Sequence, residues 1–494
     1  MSNKRTPLVF EKRISVRGNP DRQDGKNCPD ELKRELKLMD ATLLVIGSMI
    51  GSGIFIVAAD ITRNVGSAGW LIAVWVITGV MTLIAAISYG ELSGMYPKAG
   101  GQYVYLKEAY NPLIGFLYGW SFFSVIQSGL IAAVAVAFAK FTAYFFPQVG
   151  EDVILLDNFI VPVSAAQLLA VAMIIALTYI NTKGVRGGKI IQTSFTLTKL
   201  LSLFGLVIFG FILMDGQVWE ANWSDAWNLR RLYPDNSFET YTTIAACGAI
   251  AAAMVGSIFA SDAWNSVTFI AGEIVNPKKN IGLSLFLGTL TVTIIYVLTN
   301  LMYTAVLPLN EIAGAEKDRV GVEAAQAIFG AVGTGVIALM VMISTFGCNN
   351  GLVLSGARVY YTMAQDGLFF KKTALLNKHA VPEFALWIQC IAASILCLSG
   401  RYGDLLDMIS FVVVLFYVLT IAGIFVLRKR YPDAERPYKA FGYPYLPAAY
   451  IIMGLIFCTL LVIYKPNFTW GGLIIVLLGL PIYYLKDKSW KLRR

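Results

Sequence analysis

The sequence predicts an all-α polytopic membrane protein, and three observations support this fold class. Of the 494 residues, 57% are hydrophobic and only 14% are charged, and the mean hydropathy is +0.64. Soluble domains carry about 25% charged residues, so no soluble core could bury this much apolar side chain. Apolar segments of about 20 residues, long enough to cross about 30 Å of hydrocarbon, recur along nearly the whole chain. Only helices satisfy the backbone across such segments.

Twelve of these segments are predicted to span the membrane. Most of the 40 Lys and Arg residues lie in the two tails and in the even-numbered loops, as cytoplasmic segments do. Both termini are therefore expected in the cytoplasm, in agreement with an even number of spans. The predicted spans are 38–59, 69–93, 113–145, 163–181, 188–213, 244–270, 282–307, 330–357, 383–399, 404–427, 447–464 and 469–485.

The first span contains the motif GSMIGSGIF, in which Gly47, Gly51 and Gly53 weaken a helix near the middle of the membrane. Broken backbone at that depth is tolerated only where it lines a cavity or is buried in protein. A half-helix restarting after Gly53 would present free N–H groups and its positive dipole end to an anion, and Ser52 would add a hydroxyl donor. Close helix packing through Gly47 and Gly51 is the competing interpretation.

The sixth span contains an aspartate, Asp262, about 12 Å by helical rise from its cytoplasmic end. This depth keeps the carboxylate from the lipid headgroups, so it must face the bundle interior or a wet cavity. If this helix is also interrupted, free carbonyl groups at 257–260 would accept from an ammonium group. The two spans then predict a site for a zwitterion. Capping of freed N–H groups is the alternative role for Asp262.

A lysine in the fifth span, Lys199, lies about 16 Å deep, beyond comfortable snorkelling reach. A buried ammonium group is costly unless it is paired or donates to backbone oxygens, so it marks a functional position by default. We interpret Lys199 as replacing an ion or as acting in gating. A structural tether is the alternative.

Several other classes of protein lack their required residues here. The single histidine, His379, disfavours a His-ligated metal site and a Ser/His/Asp triad, so no metal, no cofactor and no enzymatic activity are predicted. The net charge of +9 does not indicate nucleic acid binding, because the basic residues occupy short gaps between apolar runs. An ion channel is disfavoured because the sequence has no filter motif or ring of charges.

The interrupted first and sixth spans suggest two five-helix halves of opposite topology, because a repeated unit of five spans must invert. The predicted division is a cytoplasmic tail (1–37), a first repeat (38–213), an extracytoplasmic loop (214–243), a second repeat (244–427), a cytoplasmic loop (428–446), two further helices (447–485) and a cytoplasmic tail (486–494).

These motifs resemble the amino acid–polyamine–organocation superfamily, and most closely its L-type branch of amino acid exchangers, in a bacterial-type form. The resemblance covers most of the chain and implies a LeuT-like inverted repeat of five plus five helices with two extra C-terminal helices. The segments that carry it, in family order, are GSMIGSGIF, PKAGGQYVYLKEAYNPLIGFLYGW, TKLLSL, IFASDAWN, GEIVNPKKNIG, STFGCNNGLVLSGARVYY and RKRYPDAERPYKAFGYPYLP.

The resemblance implies that an L-amino acid binds between the two interrupted spans and is carried by alternating access. The substrate carboxylate would meet residues 51–53, and its amino group would meet carbonyl groups of Met49 and of residues 259–260. Phe259 would also act as an aromatic gate over the site. The substrate-binding residues implied in this way are Met49, Ile50, Gly51, Ser52, Gly53, Phe259, Ala260, Asp262 and Asn265.

The resemblance also implies three residues beside the substrate side chain, Val125, Ile126 and Phe411. Lys199 matches the family's fifth-span lysine, which implies sodium independence. The predicted function is therefore exchange of neutral L-amino acids. Proton-coupled symport with Lys199 as the titrating group is the first alternative, and transport of polyamines or cationic amino acids is another. Asp262 stands where many members have glycine, and it does not by itself indicate a cationic substrate.

Animal members of this branch bind a single-span glycoprotein through a cysteine in an outer loop. Residues 146–162 contain no cysteine, so no covalently linked subunit is expected. The expected partners are the amino acid substrate and the lipid bilayer of the cell membrane, with no nucleic acid.

Overall fold

The computed structural model of the protein describes residues 32–156, 162–233, 235, 237–399 and 402–491, with backbone alone for 185–191, 402–407, 468 and 486–491. Most of the predicted N-terminal tail, 1–31, lies outside the described residues, as do 492–494. Over the described ranges the protein is a bundle of α-helices with two short hairpins in its loops. The predicted all-α fold class is confirmed.

The first predicted repeat contains eight helices within its described residues. A π-helical segment, Phe122–Ile126, joins the fifth to the sixth, and a short hairpin precedes the seventh. The elements are α1 (Leu38–Met49), α2 (Gly53–Val65), α3 (Ala68–Met95), α4 (Gln102–Ala109), α5 (Pro112–Ser121), α6 (Gln127–Phe145), β1 (Ile154–Leu156), β2 (Val163–Ser164), α7 (Ala165–Thr182) and α8 (Val185–Ile212).

The remaining described residues form ten helices and a second hairpin. They are α9 (Gly216–Trp223), β3 (Arg230–Leu232), β4 (Phe238–Thr240), α10 (Thr243–Ala260), α11 (Ser266–Phe269), α12 (Pro277–Val306), α13 (Leu309–Ala313), α14 (Val320–Gln365), α15 (Glu383–Leu398), α16 (Tyr402–Arg430), α17 (Tyr445–Tyr464) and α18 (Pro466–Lys491). The predicted loop 214–243 therefore contains a helix and a hairpin that the sequence analysis did not predict.

Local sequence explains where several of these helices begin. Asn111 accepts from the N–H of Ile114 and is followed by proline at the first helical position of α5. Ser164 and Gln167 form a reciprocal capping box at the start of α7. Thr242 caps α10 by accepting from the N–H of residue 245 through its side-chain hydroxyl. These caps fix the entry of the chain into three long helices.

The number of membrane spans agrees with the prediction only in part. Among the described residues, nine helices are long and apolar enough to cross a membrane, and α1 with α2 forms a tenth, bent span. Two shorter apolar helices, Glu383–Leu398 and Thr469–Leu485, coincide with the ninth and twelfth predicted spans. The count of twelve stays a prediction.

Two predicted boundaries need correction. The first span continues to residue 65 rather than 59, because α2 carries on for two more turns. The eighth extends over 320–365 rather than 330–357, because helix continues on both sides of a kink at Gly330, where φ is +67°. A prediction from apolar content alone ends where polar residues begin, so it misses the parts of a helix that extend beyond the apolar segment.

Helices of the first four spans in the first predicted repeat pack against their counterparts five spans later. The pairs are α2 with α10, α3 with α12, α6 with α14, and α7 with α15. This regular pairing is what two related halves facing each other would produce. The division into repeats at 38–213 and 244–427 stays a prediction.

Exposed ion pairs join loops at the end of the bundle where α2 finishes. Arg63 donates to Asp318 with an Nη1–Oδ1 distance of 2.8 Å, and Lys317 pairs with Asp152 at 2.9 Å. The neighbouring ammonium group of Lys317 lowers the pKa of the Asp152 carboxyl. Solvent-exposed pairs of this kind contribute little to the stability of this end.

Buried ion pairs occupy the opposite end, where α1 begins. Glu91 on α3 accepts from Arg428 on α16 at 2.9 and 2.7 Å. Arg358 on α14 donates to Glu273 at 2.9 Å, with both side chains fully buried. Breaking a buried pair leaves an uncompensated charge and costs several kcal/mol, about 3–5. These contacts hold α3, α14 and α16 firmly at this end.

Candidate functional site

The first helix break lies between α1 and α2, which meet at a bend of 43°. The predicted interruption at GSMIGSGIF is therefore present. A helix end leaves carbonyl groups without intrahelical partners. Here side chains from three other helices bind these groups, so the break is built into the bundle rather than exposed to lipid.

Lys199 on α8 supplies most of this support. Its Nζ donates to the carbonyl oxygens of Gly47 at 2.7 Å, Ile50 at 2.5 Å and Ser344 at 3.3 Å. The side chain is 1% exposed. The Ser344 hydroxyl is also within 3.2 Å of the carbonyl oxygens of Ile50 and Gly51. Lys199 thus binds a cluster of three carbonyl oxygens contributed by the break and by α14.

Two further side chains hold the remaining carbonyl groups of the break. The Cys348 thiol of α14 donates to the Ser48 carbonyl at 3.0 Å. The Tyr296 hydroxyl of α12 lies 3.0 Å from the Met49 carbonyl and also 3.0 Å from the Ala260 carbonyl. A phenol carries one proton, so it can donate to only one of these two oxygens at a time. The other oxygen can accept from a different donor.

The donors of the break are arranged differently from its acceptors. Within the described chain, the N–H groups of residues 51–53 make no hydrogen bond to a backbone or side-chain acceptor. The Ser52 hydroxyl is also buried without a partner. These groups lie at the start of α2, where the helix dipole favours negative charge. The arrangement suits a carboxylate.

The second break follows α10 and has a tighter path. The N–H groups of Ser261 and Asp262 donate back to carbonyls of Ser257 and Phe259 at 2.9 and 3.2 Å. Ala263 adopts a left-handed conformation with φ of +62°. The sequence analysis predicted free carbonyl groups at 257–260, whereas these local turns already use part of that set. At Ser257 and Phe259, only the second lone pair of the carbonyl oxygen stays available to an ammonium group.

Asp262 does not stand alone in the second break. Its Oδ1 accepts from the Tyr417 hydroxyl of α16 at 2.5 Å, and the carboxyl is 6% exposed. Asn265 donates through Nδ2 to Gln102 Oε1 at 3.0 Å. These contacts connect the second break to α16 and to the start of α4.

A narrow cavity lies between the two breaks. Seven of the nine predicted substrate-binding residues line it, namely Met49, Gly51, Ser52, Gly53, Phe259, Ala260 and Asp262. The breaks touch at Gly53, where a Cβ would stand 2.5 Å from the Ala260 Cβ. Ile50 does not line this cavity with a side chain, but its carbonyl group binds Lys199.

A second cavity adjoins the first at Leu130, Asp262 and Ala263. Ile126 and Asn265 line it, so these two predicted residues lie beside the break rather than within it. Val125 and Phe411 are buried but line neither cavity. On α16 the residues in this position are Val413 and Tyr417, two and six positions after the predicted Phe411.

The sequence analysis missed several residues that hold the site. Ser344 and Cys348 belong to the motif STFGCNN, whose polar residues in the middle of a predicted span were a readable signal. Tyr296 also lies in a predicted span, but a tyrosine there is ordinary, so its position gave no signal. The roles of Gln102 and Tyr417 depend on how α4 and α16 pack, which local sequence does not specify.

Comparisons with known proteins agree with this architecture. Residues 36–483 match the family described as Amino acid permease. The Asc-type amino acid transporter 1 of Mus musculus is 30% identical over 456 residues, which is 92% of this chain and 81% of the relative. The Large neutral amino acids transporter small subunit 2 of Homo sapiens is 30% identical over 460 residues, 92% and 80% of the two chains. The b(0,+)-type amino acid transporter 1 of Mus musculus is 29% identical over 464 residues, 92% and 88%.

Proposed function

The chain belongs to the amino acid permease family, and from this premise we propose that it exchanges neutral L-amino acids across a membrane without sodium. One observation carries the proposal. The cavity between the breaks offers unpaired N–H groups and the Ser52 hydroxyl on one side, and the carbonyl oxygens of Met49 and Ala260 on the other. Such an arrangement complements the two charged ends of an amino acid.

Sodium independence is supported by Lys199. Its ammonium group already donates to three carbonyl oxygens, from Gly47, Ile50 and Ser344, at 2.5–3.3 Å. A sodium ion at the same oxygens would face a fixed positive charge. We therefore propose that Lys199 replaces the ion, and that Phe259, which lines the cavity, gates it.

A preference for neutral substrates is supported by the contacts of Asp262. One of its carboxylate oxygens already accepts from Tyr417. The wall near the substrate side chain is otherwise mainly apolar, with Leu130, Val134 and Leu352 among its residues. We propose that Asp262 supports the break and that its charge does not select the cargo.

The chain is a multi-pass membrane protein, and we propose the cell membrane as its location, with both termini in the cytoplasm. We assign it no enzymatic activity and no cofactor. One relative is named as a small subunit, yet residues 146–162 of this chain contain no cysteine. We therefore propose that it works without a disulfide-linked partner. Purification from its native membrane and electrophoresis without reductant should give a band at the mass of the chain alone.

Purified protein in liposomes tests the proposed transport mode. Liposomes loaded with an unlabelled neutral amino acid should take up labelled amino acid several-fold faster than empty ones, with or without sodium. Uptake into empty vesicles driven by an inward proton gradient would instead support proton-coupled symport. A preference for lysine, arginine or a polyamine in a competition panel would overturn the neutral substrate class.

A further inference from the structure

Two buried donors lie beside the first break on the side that faces the start of α1. Ser48 Oγ and Gln192 Nε2 have no hydrogen-bond partner within the described chain, and the two residues are 2% and 3% exposed. Ser48 lines the same cavity as Ser52. Neither side chain has a role in the exchange proposed above.

Glycine residues bring the two donors together. Gln192 reaches from α8 between Gly47 of α1 and Gly351 of α14. A Cβ on Gly47 would collide with its carboxamide, and a Cβ on Gly351 would collide with Ser48 Oγ. Ser48 Oγ and the Gln192 amide atoms lie within 3.2 Å of the point where a Gly351 Cβ would stand. Gln192 Oε1 accepts from Asn350 Nδ2 at 3.4 Å, so the amide nitrogen is the group without a partner.

The charge around this pair favours an anion. Lys199 donates to the carbonyl groups of Gly47 and Ile50, the residues on either side of the 48–49 segment. Within the described ranges its ammonium group binds only carbonyl oxygens and forms no ion pair. A buried cation without a counter-charge attracts negative charge from its surroundings. Ser48 lies within the segment whose carbonyl groups Lys199 binds, Gln192 packs against Gly47 at one end of that segment, and the Ser52 donors follow its other end.

We propose that Ser48 and Gln192 form a second carboxylate subsite, which the substrate carboxylate occupies as it passes between the Ser52 donors and the membrane face where α1 begins. This inference rests on the proposed function. Two donors and a nearby ammonium group can bind both oxygens of a carboxylate, with Lys199 supplying the counter-charge at both positions. Substrate moving through this side then exchanges one set of donors for another without crossing apolar surface as a bare anion.

The test measures KM from each membrane face separately. Liposomes that each hold one protein are sorted by capture through an N-terminal tag. In captured liposomes the face where α1 begins is exposed to the outside medium, and in uncaptured ones the opposite face is exposed. Gln192→Leu keeps the volume but removes the donor, and should raise KM about tenfold at the α1 face and less than twofold at the opposite face. Gln192→Glu should raise it further, because its charge repels the carboxylate.

The matched control is Gln389→Leu. Gln389 of α15 is also buried, and its amide oxygen lies against Gly356 of α14, five residues after Gly351. Its amide nitrogen already donates to the Val353 carbonyl. This variant should leave the ratio of the two KM values unchanged. Equal changes of KM at both faces in Gln192→Leu, or a fall in Tm with both KM values unchanged, would overturn the proposal and indicate a packing role or a bridging water.

A binding measurement separates this proposal from the proposed function. Isovalerate carries a carboxylate and no amino group, so it should raise the Tm of the wild-type protein. The concentration needed for half of that shift should rise at least threefold in Gln192→Leu and stay unchanged in Gln389→Leu. Unchanged binding of isovalerate in Gln192→Leu would refute the subsite, whereas absence of amino acid exchange by the wild type would refute the proposed function alone.

Discussion

The two helix breaks that form the cavity are supported in different ways. In the first, carbonyl groups from Gly47 to Gly51 are held by side chains of α8, α12 and α14, with Lys199 at the centre. In the second, the backbone turns back on itself, and Ser261, Asp262 and Ser266 donate to carbonyl groups a few residues earlier.

This difference has a mechanical consequence. The second break satisfies much of its own backbone, so it can move as a unit with the helices on either side of it. The first break depends on distant helices, and any shift of α1 must exchange those contacts for others. We therefore expect the movement of α1 relative to α8 and α14 to be sensitive to single substitutions, and the second break to tolerate them better.

The largest expected effect comes from the point where the breaks meet. In Gly53→Leu the added side chain would collide with Ala260, whose Cβ lies 2.5 Å from the position of the new Cβ. The breaks would be forced apart, and substrate binding should fall by at least 100-fold, measured as loss of thermal stabilisation by substrate. Gly205→Leu, at an open position on α8, is the matched control and should bind normally. Normal binding by Gly53→Leu would place the donors elsewhere.

The next largest effect should come from Lys199→Ala, which tests whether the first break depends on a distant side chain. Lys199→Ala leaves carbonyl groups of Gly47 and Ile50 without their main partner, at about 1–3 kcal/mol each. If half of that cost falls on the transport barrier, exchange slows by roughly 10- to 100-fold. Folded protein, measured by size-exclusion chromatography and Tm, should persist. The control Lys140→Ala lies near the end of α6 and should exchange normally. Complete loss of folded protein would make Lys199 a structural tether.

The sequence could predict the breaks because their signals are local. Three glycines within seven residues weaken a helix wherever they occur, and Lys199 and Asp262 are conspicuous in apolar surroundings. The helices and their order follow from such signals. The nine predicted substrate-binding residues, of which seven line one cavity, were implied by the family resemblance instead. The role of each residue in substrate binding is still a prediction.

The partners of the breaks could not be predicted, because they depend on how the helices pack. Tyr296 reaches both breaks only because α12 crosses α1 and α3. Val413 and Tyr417 lie at the second cavity in place of the predicted Phe411, and this choice depends on the rotation of α16 about its axis. Glu91 was an available signal, a carboxylate inside the second predicted span, and its partners Arg428 and Arg436 come from residues more than 300 positions away.

A smaller effect should come from Tyr296, whose hydroxyl contacts both breaks. Tyr296→Phe removes a hydroxyl that lies 3.0 Å from the Met49 carbonyl and from the Ala260 carbonyl. One buried acceptor then lacks its donor, which costs about 1–3 kcal/mol. We expect exchange to slow about tenfold, with a lower Tm in the absence of substrate. Because a substrate ammonium group can replace the hydroxyl, substrate should restore more of the Tm than in the wild type. An unchanged Tm would show that the hydroxyl does not join the breaks.

The smallest effect should come from the second break. Asp262→Asn keeps the shape of the side chain and still accepts a hydrogen bond from Tyr417, but removes the charge. Since this break holds much of its backbone through its own turns, exchange of neutral amino acids should change less than threefold. Tyr417→Phe, which removes the donor instead, serves as the matched variant and should have a similarly small effect. A loss comparable to that of Lys199→Ala would mean that both breaks depend on distant side chains, and that the charge of Asp262 takes part in binding the substrate.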